Sequence, residues 1–141
     1  MADLSAIYRN PRIPPGYYFA KAIEVNTENI AGYERPLVFV RVQIHPDHKL
    51  GDHVVLTNII HPTEASRFYF INFVNTFIGF ETHDLSLSLN RWGSIEVYDA
   101  KYQKTMYSAV KWIYQTREVR SKIADIYRRE QEHPVGEAIP L

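Results

Sequence analysis

The stretch RWGSIEVYDAKYQKTMYSAVKWIY, residues 91–114, decides how the rest of the chain is read. Over 92–98 apolar and polar positions alternate, Ile95 and Val97 against Ser94, Glu96 and Tyr98, and a second alternating run fills 106–114. Alternation with a period of two marks a pleated strand with one buried face, so the stretch reads as a hairpin whose turn is 99–105. Lys101, Tyr102 and Lys104 then stand at its tip, two cations flanking a ring, a combination suited to a base on a phosphate chain. Tyrosine and tryptophan are also ordinary strand residues, and lysines are common at solvated tips, so a hairpin without a ligand accounts for the same residues.

Upstream of the hairpin, residues 80–90, with Asp84, Leu85, Leu87 and Leu89, form an irregular connector. Before it, a helix is expected over 63–78, with Thr63 as N-cap, Glu64 in the first turn and Gly79 as the stop. Its apolar arc is broad: Phe68, Ile71 and Ile78 lie on one stripe, Phe70, Phe73, Val74 and Phe77 on the next, so it packs against a sheet or a barrel end. Three earlier strands are expected at 16–25, 37–44 and 53–60, separated by a turn-rich loop at 26–34 and by the Pro46 to Gly51 break. In the first, Phe19, Ile23 and Val25 oppose Tyr18, Ala20, Ala22 and Glu24. The second is the clearest: Val38, Val40, Val42 and Ile44 take one face, Leu37, Phe39, Arg41 and Gln43 the other. A ring on that mixed face either packs under a loop or offers a stacking platform.

At the N-terminus, Pro11, Pro14 and Pro15 disfavour helix and central strand, leaving residues 1–15 as an extended arm carrying Arg9 and Arg12. The arm either lies along a partner or is poorly ordered. Downstream, 116–130 reads as a helix with Val119, Ile123, Ile126 and Tyr127 on its packed side and Arg117, Arg120, Lys122, Arg128 and Arg129 on a solvated one. Residues 131–141 are expected to be a flexible tail. The order is three strands, a helix, two strands and a helix. A mainly β domain over 16–115, with the helix inserted between the third and fourth of five antiparallel strands, has the layout of the OB-fold barrel. An α+β sandwich or another small barrel is the alternative.

A chain of 141 residues is long enough to bury a core without staples. Lysine plus arginine equals aspartate plus glutamate at 16 each, so any nucleic-acid binding must use local charge. The absence of cysteine removes thiol catalysis, disulfides and cysteine-ligated metals, and fits an intracellular protein. No leader-like apolar segment opens the chain, and no apolar run approaches the roughly 20 residues of a membrane span, so it reads as soluble and cytoplasmic. Phosphate-binding glycine loops, His-Glu-x-x-His and nucleophile elbows are absent, so no enzymatic activity and no cofactor are expected. His45, Asp47, His48, Asp52 and His53 place five possible metal ligands within nine residues. A tight loop between strands does not converge so many side chains on one ion, and the expectation is no metal; a metal-dependent hydrolase is the minor alternative.

Gly16-Tyr17-Tyr18 opening the first strand, Phe73-Val74-Asn75-Thr76-Phe77-Ile78-Gly79 closing the helix, and Trp92-Gly93-Ser94-Ile95-Glu96-Val97 followed by Tyr102 together resemble the single-stranded DNA-binding proteins of phages and mobile elements. The resemblance covers about residues 15–114. It implies an OB fold, a role in replication or recombination, host cytoplasm as the location, and single-stranded DNA or RNA as partner. It places the strand on the face of the second β-strand and on the last hairpin. It thereby implicates Phe39 and Arg41 with Lys101, Tyr102 and Lys104; if bases stack on rings while cations follow phosphates, the candidates are Phe39, Tyr98, Tyr102 and Trp112 for stacking and Arg35, Arg41, Lys101, Lys104 and Lys111 for phosphates. Trp112 and Lys111, being successive, cannot both lie on one face. The chain departs from the family pattern in its neutral charge and its lack of a long acidic tail, although its last six residues, Gly-Glu-Ala-Ile-Pro-Leu, resemble an apolar tip that recruits replication or recombination partners. A homo-oligomer is compatible with the family. The other reading of the sequence is a β-rich interaction or structural subunit of a phage-like assembly.

Overall fold

The computed structural model describes residues 4–29, 32, 36–50, 54–60 and 67–132. Five strands, β1 (Gly16–Glu28), β2 (Leu37–Ile44), β3 (Val55–Ile60), β4 (Trp92–Tyr102) and β5 (Thr105–Trp112), form one antiparallel sheet in the order β3-β2-β1-β4-β5. Helix α1 (Arg67–Phe77) stands between β3 and β4 in the chain, and α2 (Arg117–Glu132) follows β5. Short 3-10 turns lie at Leu4–Arg9, Pro46–His48 and Leu85–Ser88. The sheet curls into a half-barrel of OB-like layout, as the element order implies. The expected start of α1 near Thr63, the end of the chain beyond Glu132, and Arg35, Asp52 and His53 lie outside the described residues.

The curl follows from what the inner face carries. Val38, Val40, Val42 and Ile44 all point inward, joined by Leu56, Ile60, Ile95, Val97, Val110 and Trp112 in a single buried cluster. At the centre β1 contributes Ala20 and Ala22, both fully buried, small enough for the flanking strands to fold over them. A register shift between Ala22 and Glu24 then interrupts the alternation, and Val25 returns to the core side. This divides the face expected from Phe19, Ile23 and Val25: Phe19 instead points outward, with Trp92, against Val119, Ile123, Ile126 and Tyr127 of α2.

Helix α1 inserts its aromatic side into the barrel. Phe73 and Phe77 meet the ring of Trp112 edge-on at centroid distances of 5.0 and 5.6 Å. Phe77 also sits directly over Gly93, where an added Cβ would fall 2.7 Å from its ring carbons, so any side chain there would force that buried ring to shift.

The barrel seam, between the edge strands β3 and β5, is closed by side chains. Asn10, itself buried, donates to Thr57 O and Ser108 O (both 2.9 Å) and accepts from Thr57 N–H at 2.7 Å. Asn58 donates to Val110 O at 2.7 Å, and the Tyr69 hydroxyl donates to the same carbonyl at 2.9 Å. Ile13 N–H donates to Ser108 Oγ at 2.8 Å, and the Ile13 side chain joins the interior cluster. The N-terminal arm, expected to be extended or poorly ordered, is therefore an integral part of the barrel from Leu4 onward. Prolines exclude it from the sheet, but Asn10 and Ile13 give it polar and apolar partners there.

Candidate nucleic-acid interface

The β4–β5 register sorts the hairpin residues by face. Glu96 faces Lys111, Tyr98 faces Ala109, Ala100 faces Tyr107 and Tyr102 faces Thr105 on the outer side. The intervening pairs, Ile95 with Trp112, Val97 with Val110 and Asp99 with Ser108, belong to the inner side. The hairpin is tighter than the expected 99–105 turn. Its strands run to Tyr102 and resume at Thr105, leaving Gln103 and Lys104 as the connection, with Gln103 at φ 55°.

This sorting corrects two stacking assignments. Trp112 is 0% exposed and lies among Phe73, Phe77 and Tyr69, because strand alternation sends Lys111 outward and Trp112 inward. Phe39 is 6% exposed, on the outer face of β2 but covered by Ile7 of the N-terminal turn and flanked by Leu37 and Ile59. Neither ring can receive a base in this structure. Arg41 is exposed but bonded to Glu24 at 3.0 Å across the β1–β2 ladder, with β1 and β4 between its strand and β5 in the sheet order.

What remains is a coherent outer surface. Tyr98 is 46% and Tyr102 45% exposed, and Tyr17 of β1 projects beside Glu96 in the adjoining row. Lys104 stands at the tip and Lys111 in the outer row, while Lys101 leaves on the opposite side of the ribbon with Met106. Among the described residues none forms an ion pair with these three lysines, whereas Arg12, Arg41, Lys122, Arg128 and Arg129 are each held by a carboxylate. Free cations are the ones able to neutralise phosphates and release counterions.

Sequence reasoning missed Tyr8. Its ring lies flat on Tyr102, with centroids 3.9 Å apart and planes 3° from parallel, and it meets Tyr107 edge-on at 5.3 Å. The only local signal was an aromatic residue beside Arg9 in a basic arm; nothing near it in sequence reveals that the arm crosses to β5.

The described part of the histidine loop, 45–50, makes structural contacts. His48 Nε2 accepts the Phe19 N–H at 2.9 Å, and His45 Nδ1 accepts the Asp47 N–H at 3.1 Å. Asp47 in turn holds Arg129 of α2 at 2.9 Å. The loop thus joins β1 to α2, beside Lys122 and Asp125. Among the described residues no group of three or more histidine, aspartate or glutamate side chains is arranged to hold a metal. Burial lowers the pKa of both histidines, and each needs an unprotonated ring nitrogen as acceptor. A folded-state pKa below the ordinary value near 6.5 means that the unfolded chain takes up protons first. Stability is therefore complete above about pH 6.5 and declines as pH falls through the folded values. The urea midpoint is expected to be lower at pH 5.5 than at 7.5, and less so in His48→Gln, whose amide oxygen preserves an acceptor. Equal midpoints for the wild-type protein at the two pH values would refute this role.

No protein-family model matches the chain, and no curated protein matches it at a significant level. Among the described residues no helix is long and apolar enough to cross a membrane.

Proposed function

We propose that this protein binds single-stranded nucleic acid, single-stranded DNA foremost, through the outer face and tip of the β4–β5 ribbon and without sequence preference. One observation carries the reading: exposed tyrosines and three lysines without an ion-pair partner among the described residues share this one ribbon, in a chain whose overall charge is zero. Rings accept any base because every base has a π-face, and lysines follow the backbone irrespective of sequence. The work requires neither metal nor cofactor, and no catalytic step is assigned. The family resemblance supports a place in phage or mobile-element replication or recombination.

Titration of labelled oligothymidylate and mixed-sequence strands, by fluorescence anisotropy at low and moderate salt, tests the proposal. Binding is expected to be similar for both strands, weaker in salt and weaker for duplex. The combined Lys101→Ala, Tyr102→Ala, Lys104→Ala variant is expected to keep the wild-type circular dichroism spectrum. It should bind about tenfold or more weakly, with the salt slope shallower by about 0.7 for each phosphate no longer neutralised. A wild-type protein that binds no single strand at low salt would make the ribbon an ordinary solvated hairpin.

A second reading, an interaction subunit, is favoured by a different surface. Phe68, Phe80 and Tyr114 are exposed around α1, and a cleft of about 540 Å³ lies beside them between Phe70, Val74, His83 and Arg120. Failure of the strand titration would bring this surface forward.

A further inference from the structure

Building on the single-strand reading, we propose that Tyr8 is a placeholder for a nucleobase. The outer face of Tyr102, walled by Tyr107, forms a base-sized slot that the Tyr8 ring fills in the free protein and that an unpaired base takes over on binding.

The geometry of the slot is that of base recognition. A ring lying 3.9 Å from Tyr102 and 3° from parallel to it occupies the position a stacked pyrimidine would take. Tyr107, nearly perpendicular to Tyr8 at 76°, provides a wall against the ring edge. Lys104 adjoins Tyr102 through the two-residue turn, within reach of the phosphate of a base stacked there. Tyr102 is nonetheless the best-placed ring at the tip, and Tyr8 already lies on it. Any base stacking on the same surface must first displace Tyr8.

The arm is built for that exchange. Its firm attachment is Asn10, with three hydrogen bonds into β3 and β5, followed by Ile13 on Ser108. Tyr8 precedes that anchor and makes none of the hydrogen bonds that join β3 to β5, so its ring can leave the slot while those bonds stay in place. Among the described contacts, its departure is opposed by the stacking on Tyr102 and Tyr107, the bond from Asn10 N–H to Ile7 O at 3.1 Å, and the packing of Ile7 against the cluster of Leu37, Phe39 and Ile59. A site occupied by its own side chain binds ligand with an apparent affinity reduced by the fraction of molecules in which it is open.

Two substitutions with opposite expected signs test the exchange. Tyr8→Ala removes the competitor and is expected to tighten binding of oligothymidylate about 3- to 10-fold at low salt. Tyr8→Trp, a larger stacking ring, is expected to weaken it. In a Tyr102→Ala background, where the slot is without its floor, Tyr8→Ala should give no tightening. Circular dichroism and urea midpoints of each variant establish that the barrel, still anchored by Asn10, is intact. If the wild-type protein binds and Tyr8→Ala binds equally or more weakly, Tyr8 is part of the platform and the placeholder is refuted. If Tyr8→Ala does not fold, tighter binding by Tyr8→Trp refutes it in the same way. If no form binds single strands at low salt, the single-strand reading itself fails and the placeholder falls with it.

Discussion

Trp112→Ala is expected to destabilise the protein by about 3–5 kcal/mol, while the neighbouring Lys111→Ala shifts stability by no more than about 0.5 kcal/mol. Trp112 is fully buried and its ring is the one on which Phe73 and Phe77 of α1 both rest, with Tyr69 tilted against it at 6.1 Å. Truncation separates helix from barrel at this point and leaves a cavity that rigid strands cannot close. Its Nε1 is buried with no hydrogen-bond partner among the described residues, a penalty of about 1–3 kcal/mol borne by the native state. Trp112→Phe discards that donor while keeping a ring, so it is expected to lose much less stability than the alanine variant. Urea unfolding of the three variants measures this. A Trp112→Ala protein as stable as wild type would mean that α1 is not held through this ring.

Asn10→Ala is expected to cost about 2–4 kcal/mol, an unusual sum for a polar residue near the start of a chain. Each intramolecular hydrogen bond contributes about 1 kcal/mol net, and leaving the Thr57 N–H buried without an acceptor adds a desolvation penalty of similar or larger size. All three bonds made by the Asn10 side chain join the two edges of the barrel. Asn10→Asp would keep the acceptor for Thr57 N–H but set a carboxylate against two carbonyl oxygens, and is expected to be no better than alanine. Thermal or urea unfolding distinguishes these outcomes. A midpoint unchanged in Asn10→Ala would show that the seam is held without the arm.

Periodicity revealed most of the fold because the barrel has one buried face. The Val38, Val40, Val42, Ile44 row was legible, as was the place of α1 in the strand order, since burial imposes a period of two on the strands and the helix carries a broad apolar arc. Sequence was ambiguous where both faces of a strand are apolar: in β5, Ala109 and Val110 are both buried, and nothing local decides between Lys111 and Trp112 for the outer position. That the hairpin tyrosines and lysines share one ribbon was legible because they are local to one turn. Phe39 was misplaced as a stacking ring because what covers it, Ile7, comes from the distant arm, and the Glu24 partner of Arg41 likewise comes from another strand. Tyr8 was missed for the same reason.

The stitched seam also bears on the order in which the molecule assembles. The Asn10 side chain reaches Ser108 O across 98 positions of sequence, so this attachment must wait until β5 is available. Loop-closure entropy makes such distant pairings late and slow events. Until the arm closes, Leu37, Phe39 and Ile59 lack their cover of Ile7, and β3 and β5 present bare backbone edges of the kind that recruit other chains. During synthesis Asn10 leaves the ribosome well before β5 but cannot fasten the seam until β5 has emerged, and the interval vulnerable to self-association lasts over the 98 positions between them.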